Sequence, residues 1–186
     1  RSSTITTKGG WFESGDHYKS MISGGMAVWT LQNLFEVSAL SGNADLSDGS
    51  GAVVIPENGN GMPDILDEAA YELDWMKQMK VPENDPAWGE KAAGMYLHEM
   101  RDYKWGGIAD SVPAYELDLD DWYNRIAKPP TFAATLSYAA CAAQGARLWE
   151  QYDEDKADEY YKSALEAFEA YEKAYYEPDM TPVSIP

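Results

Sequence analysis

The sequence predicts an all-α domain of about four long helices, with a long aromatic-rich excursion between the second and the third. Three observations predict it. Four stretches repeat apolar residues at intervals of three and four, the spacing that collects side chains on one helical face. Turn-forming Gly, Pro, Asn and Ser residues punctuate the stretches. The third and fourth stretches are joined only by about Glu150 to Asp153, a link so short that the two helices must be antiparallel neighbours. At 186 residues the chain has the length of one domain with a real core.

The first helix runs from Ser23 to about Leu40, with Met26, Ala27, Leu31, Leu34, Phe35 and Ser38 on its periodic face, and Ser41, Gly42 and Asn43 end it. A polar loop follows, closing in Asn58, Gly59, Asn60, Gly61 and Pro63, after which Asp64 is placed to cap the second helix. Asp67 and Glu68 suit the positive first turn of that helix. Leu66, Ala69, Leu73, Met76 and Lys80 form its stripe, and Pro82 lies past its end. The excursion from Val81 to Pro130 carries Trp88, Trp105 and Trp122, and alternation around Met95, Leu97 and Glu99 allows a strand or two. Thr131 is placed to cap the third helix, whose many alanines, Ala133 to Ala146, leave a small face suited to close packing. The fourth helix spans about Asp155 to Tyr175, with Ala157, Tyr161, Ala164, Phe168, Tyr171 and Tyr175 on one side.

Composition excludes several classes of function. The 32 Asp and Glu against 14 Lys and Arg give a formal charge of −18, which repels a polyanionic backbone, so no nucleic-acid partner is expected. No stretch approaches the roughly 18 apolar residues of a membrane-spanning helix, so no membrane span is expected. Cys141 is alone, which excludes an internal disulfide and a cysteine metal cluster, and its alanine-rich setting predicts a packed, inert thiol. The chain begins at Arg1 without an apolar leader, so any targeting segment is expected to have been removed or not included. The seven Trp and thirteen Tyr suit either core packing or stacking on sugar rings, and composition does not choose between them.

The candidate chemistry is concentrated in Gly9 to Ser20, GGWFESGDHYKS. Glu13 and Asp16 are two carboxylates three residues apart around a glycine, followed by His17 and Lys19. Close carboxylates repel unless cations or hydrogen bonds hold them, an arrangement suited to a base that takes a proton from water. The spacing alone is also that of many turns and cation loops.

Three segments together resemble glycoside hydrolase family 9, the inverting cellulases built on a barrel of six helix pairs. Gly9, Gly10, Trp11, Gly15, Asp16 and Lys19 fall in register with a family motif of the form GGW(Y/H)DAGD followed by lysine. Gly59 to Met79, GNGMPDILDEAAYELDWMKQM, is similar to the family's PDxLDEARWELE(W/F)M helix. Arg125 to Leu148, with Ala133-Ala134-Thr135 and Ala142-Ala143-Gln144, is similar to a third family segment, and all three occur in the family's order. The resemblance implies that residues 1–186 are the N-terminal portion of one (α/α)6 catalytic domain, an incomplete barrel whose remainder, on this or a separate chain, is a required partner. It also implies hydrolysis of β-1,4-glucosidic bonds in cellulose or a related β-glucan.

By position in the motif, Asp16 is the general base, and Glu13 replaces the Asp that helps hold the same water, while Ser14 replaces the motif's Ala. The general acid of the family is a Glu toward the C-terminal end of the domain, and no Glu in this sequence is expected to take its role. His17 and Lys19 match the motif and are candidate substrate-binding residues, with a simple ion pair as the plainer reading. Trp11 is expected to pack beneath the loop. His98 sits in a segment resembling a family strand with His-Lys, here His98-Glu99, and is either a sugar ligand or a structural histidine. Trp105, beside Gly106 and Gly107, falls where relatives place an aromatic sugar platform. Asp118, Asp120 and Asp121 lack EF-hand spacing and read as solvated loop charge. No organic cofactor is implied. Structural calcium is common in the family, but its ligands do not map onto this sequence. The resemblance further implies secretion, and an upstream immunoglobulin-like module to which Ser2 to Lys8 could connect. The alternatives are a carbohydrate-binding relative that has lost turnover and an exo-acting glycosidase on the same barrel.

Overall fold

The computed structural model describes residues 4–13, 17–102 and 125–176. Their order is β1 (Lys19–Ser20), α1 (Ser23–Ser41), α2 (Asp64–Gln78), α3 (Gly89–Ala92), β2 (Glu99–Asp102), β3 (Arg125–Ala127), α4 (Phe132–Trp149) and α5 (Glu154–Tyr176). The four long helices fall where periodicity places them. The addition is a small antiparallel sheet, ordered β1-β2-β3, that the all-α expectation did not contain beyond the allowance for a strand or two. Its register pairs Lys19 with Met100 and Ser20 with Glu99, then Met100 with Ala127 and Asp102 with Arg125. The sheet therefore ties the end of the motif loop to both described ends of the excursion.

Helix ends show how local chemistry sets the boundaries. Ser20 Oγ accepts the N–H groups of Ile22 and Ser23 at the start of α1. Gly42 ends that helix at φ 65°, and its N–H returns to the Ser38 carbonyl. Thr131 caps α4 as its sequence position predicts, its hydroxyl accepting the Ala134 N–H. Asp64 does not cap α2. Pro63 occupies that place, and the Asp64 side chain, buried, instead accepts the Gly49 N–H and holds the preceding loop against the helix. Asp48 closes the same loop by accepting the Gly59 and Gly61 N–H groups at 2.6 Å each.

The core lies between α1, α2, α4 and α5. Leu66, Ala69, Leu73 and Met76 are buried on α2 as expected, whereas Lys80 lies past the helix end and reaches Glu166 of α5. Helices α4 and α5 run antiparallel: Trp149 at the end of α4 meets Tyr160 near the start of α5, and Phe132 at the other end meets Tyr171 and Tyr175. Of the expected face of α5, Ala157 and Ala164 lie in the buried line with Tyr160, Ser163, Ala167 and Ala174, while Tyr161, Phe168 and Tyr175 are exposed. That line meets rings of α4: the Tyr138 hydroxyl bonds with that of Ser163 and Trp149 packs edge-on to Tyr160.

Cys141 behaves as a core residue. It is buried, its thiol donates to the Gly25 carbonyl, and burial pushes its pKa up to about 12. One apolar surface stands out: Met26, Trp29, Leu34, Val37 and Leu40 form an exposed face along α1.

Candidate active site

The glycine-rich start of the motif is shaped by α2. Gly9 and Gly10 both have positive φ, 76° and 77°. Gly9 packs on Tyr71, and a Cβ on Gly10 would come within 2.5 Å of the Trp75 ring, so the backbone lies directly on the helix. Trp11 is then gripped twice from one helical face: its backbone N–H donates to Glu72 Oε2 at 2.6 Å and its indole N–H to Glu68 Oε1 at 2.8 Å. Glu68 and Glu72 stand one turn apart and so face the same way. Trp11 lies half-buried against the core, the packing role expected of it.

Glu13 turns the loop back. Its N–H donates to the Tyr18 carbonyl at 2.9 Å, and both carboxylate oxygens accept the Ser23 hydroxyl at 2.7 Å at the first turn of α1. That helix has no acidic residue of its own in its first turn, and Glu13 supplies a negative charge there. Asp16, the candidate base, lies outside the described residues, as do Trp105 and the Asp118, Asp120 and Asp121 group.

Lys19 is buried. Its ammonium donates to the Gly9 carbonyl, which closes the loop on itself, and it stands 4.5 Å from the centre of the Phe12 ring and 5.9 Å from that of Trp75. Burial and the neighbouring Arg125 lower its pKa, against which Glu72 acts to raise it. Among the described residues, the carboxylate that Lys19 feels is thus Glu72, from α2, to which the sequence reading assigned no role.

His17 is buried, and its Nδ1 lies 2.7 Å from Asp102 Oδ2. Arg125 donates to the His17 carbonyl at 2.7 Å and lies 5.4 Å from the Phe12 ring. Burial lowers the Arg125 pKa and Asp102 raises it. The β2–β3 pairing of Asp102 with Arg125 therefore delivers an acid and a base to one residue of the motif. Asp102 Oδ1 and Arg125 Nε have no hydrogen-bond partner among the described residues.

His98 lies apart from this group in its bonding: its Nδ1 meets the Thr131 hydroxyl at 2.9 Å, at the cap of α4. Its backbone also bridges the two sides of the sheet, receiving the Met21 N–H and donating toward Lys128 and Pro129. The structure thus gives His98 a structural anchorage whatever else it binds. No group of three or more His, Cys, Asp or Glu side chains among the described residues is arranged to hold a metal ion.

The sequence reading missed Glu68, Glu72, Asp102 and Arg125. For Glu72 a signal was present: it falls three residues after Ala69 and four before Met76, so it is a charge on the apolar stripe of α2. Asp102 and Arg125 carry no comparable signal, because only strand pairing brings them to His17.

Glu72 also links the site to stability. Burial raises its pKa from 4.5 to about 7, partly offset by the Trp11 N–H and Lys19. Between those values the folded state holds more protons than the unfolded chain, so stability falls as pH rises through that window. Glu72→Gln is expected to remove this contribution. Denaturation midpoints at pH 4.5 and 7.5 should therefore show the variant gaining on the parent toward the higher pH, and equal slopes would contradict the assignment.

Solved structures similar to this chain include glycoside hydrolases of family 9. A metagenome-derived family 9 endoglucanase superposes with a TM-score of 0.69 at 25% identity, over 89% of this chain and 26% of its own. A Bacteroides ovatus family 9 protein does so with a TM-score of 0.69 at 26% identity, over 88% and 26%. The five helices therefore match part of an (α/α)6 barrel.

The chain belongs to glycosyl hydrolase family 9, whose family model matches residues 1–184. It is 40% identical over 169 residues to a cellulose 1,4-β-cellobiosidase of Acetivibrio thermocellus, covering 90% of this chain and 18% of that protein. It is 43% identical over 150 residues to endoglucanase C of Cellulomonas fimi, covering 80% and 12%. A xyloglucan-specific endo-β-1,4-glucanase of Bacteroides ovatus is 28% identical over 171 residues, covering 92% and 25%. The chain thus spans a quarter or less of the length of these relatives.

Proposed function

We propose that this chain supplies the water-activating half of an inverting β-1,4-glucan hydrolase site. Asp16 acts as the general base, Glu13 helps hold the attacking water, and a Glu elsewhere in the catalytic domain protonates the leaving oxygen. The observation that carries this reading is the fixing of the motif loop on α2, through Gly10 on Trp75 and Trp11 on Glu68 and Glu72, in a family 9 chain. A loop held so firmly at both backbone and side chain is suited to a base whose position relative to the sugar must be kept.

His17 and Lys19 line the same loop and are proposed to contact substrate, with Trp105 as a stacking platform and His98 as a more distant sugar ligand. No organic cofactor is needed for this chemistry, and structural calcium, where the protein carries it, is proposed to use ligands outside the described residues. The exposed α1 face of Met26, Trp29, Leu34, Val37 and Leu40 is proposed to be covered by further helices of the same domain, on this or a separate chain. Secretion is proposed in keeping with a polymeric substrate that cannot enter a cell.

The test is hydrolysis of a soluble β-1,4-glucan by the full-length protein, with the anomer of the new reducing end followed by NMR. Inversion predicts the α-anomer first, and a β-anomer or no product would reject the reading. A second reading, exo-acting release of short products, is favoured by the 40% identity to a cellobiosidase. Chain-length analysis separates the two, because endo cutting lowers polymer viscosity early and exo cutting does not.

A further inference from the structure

Glu72 is a buried acidic residue that anchors Trp11, and the proposed chemistry makes no use of its charge. It lies within α2 at 1% exposure, with Oε2 on the Trp11 N–H at 2.6 Å. Its Oε1 fills the place that a Cβ on Gly24 would take, against the first turn of α1. Among the described residues, the charges that act on it are those of Lys19 from β1 and Glu13 from the motif loop, Glu68 stands one turn back on its own helix, and Gly24 of α1 lies against it. Lys19 and the positive end of α1 favour the carboxylate, whereas burial and Glu13 oppose it. Lys19 in turn holds the Gly9 carbonyl. The loop is thus pinned at Gly9 by the cation and at Trp11 by the anion, and the two pins face each other.

We propose that Glu72 is a positioning residue for hydrolysis: its charged carboxylate, with Lys19, clamps Gly9 and Trp11, described parts of the motif that carries Asp16. This rests on the reading of Asp16 as the base. When Glu72 takes up a proton the cost of burying its charge is relieved, but its pull on Lys19 and the Trp11 N–H, which holds the two pins together, weakens. Its protonation falls near pH 7, well above the ordinary range of an Asp base at about 3.9. Loss of the general acid's proton lowers activity on the alkaline side, so the clamp affects the opposite limb of the pH profile.

The experiment measures kcat and KM from pH 4.5 to 9 on a soluble β-1,4-glucan, using the full-length protein and its Glu72→Gln, Gly24→Ala and Asp16→Asn variants. Wild-type kcat is expected to fall toward acid pH with an ionisation near neutrality. Glu72→Gln should lower kcat by roughly tenfold or more with little change in KM, and should flatten that ionisation. Gly24→Ala should lower kcat similarly, since its Cβ displaces the carboxylate without removing its charge. Thermal melts establish that each variant is folded. If Glu72→Gln does not fold, the wild-type acid limb and Gly24→Ala decide the matter. Wild-type kcat and an unchanged profile in Glu72→Gln, beside an inactive Asp16→Asn, would overturn the clamp and leave the hydrolase reading standing. Full activity in Asp16→Asn would overturn both.

Discussion

Asp16→Asn in the full-length protein is expected to lower kcat on a soluble β-1,4-glucan by roughly 10²- to 10⁴-fold, the contribution of a positioned general base. KM should stay within about threefold, because an isosteric amide removes an interaction made in the transition state rather than in binding. The described part of the loop is fixed by Trp11 on Glu72 and Glu68, by Lys19 on the Gly9 carbonyl and by Glu13 on Ser23. A thermal melt equal to that of the parent separates a loss of chemistry from a loss of loop structure. Added azide should restore part of the rate, since an anionic nucleophile needs no base to deprotonate it. An Asp16→Asn protein with parental kcat would remove the base assignment.

Gly10→Ala should destabilise the protein by about 3 kcal/mol, the sum of two separable terms. A residue with a Cβ at φ 77° carries a cost of about 1–2 kcal/mol. The added carbon would also lie 2.5 Å from Trp75 Cγ and 2.8 Å from its Cβ and Cδ2, and Trp75 is fully buried and cannot swing away. Overpacking of that kind adds about 1–3 kcal/mol. Gly42→Ala is the comparison, because Gly42 has φ 65° with nothing within 4 Å of its would-be Cβ. Denaturant midpoints should fall further for position 10 than for position 42. Equal shifts would mean that the loop does not press on α2 as described.

The long helices were legible because each needs only a local pattern. Thr131 caps α4 and Gly42 ends α1 through bonds to residues three or four positions away, and such bonds depend on neighbours in sequence. Asp64 shows the limit of the same reasoning. Its residue type suits a cap, yet Pro63 starts the helix and the carboxylate is taken by Gly49, fifteen residues back. On α5 the period was right, but residues that share the spacing part company in the fold: Ala157 and Ala164 are buried while Tyr161, Phe168 and Tyr175 are exposed. Tyr138 and Trp149 of α4, against Ser163 and Tyr160, mark the side of α5 that packs inward.

The candidate site divides in the same way. The motif residues Gly9 to Lys19 and the match of three segments in order were enough to place the chain in its family and to name Asp16 and Glu13. What holds that motif was not visible, since Glu68 and Glu72 lie 57 and 61 residues away from Trp11 and Asp102 lies 85 away from His17. Sequence by itself determined the helices, the family and the candidate loop, because these rest on residue type and local spacing. Only the tertiary structure decided that α2 is the floor of the loop, that Lys19 answers to Glu72 and that a small sheet brings Asp102 and Arg125 to His17. Those pairings join residues far apart in the chain, and their energies depend on burial, which is a property of the folded whole.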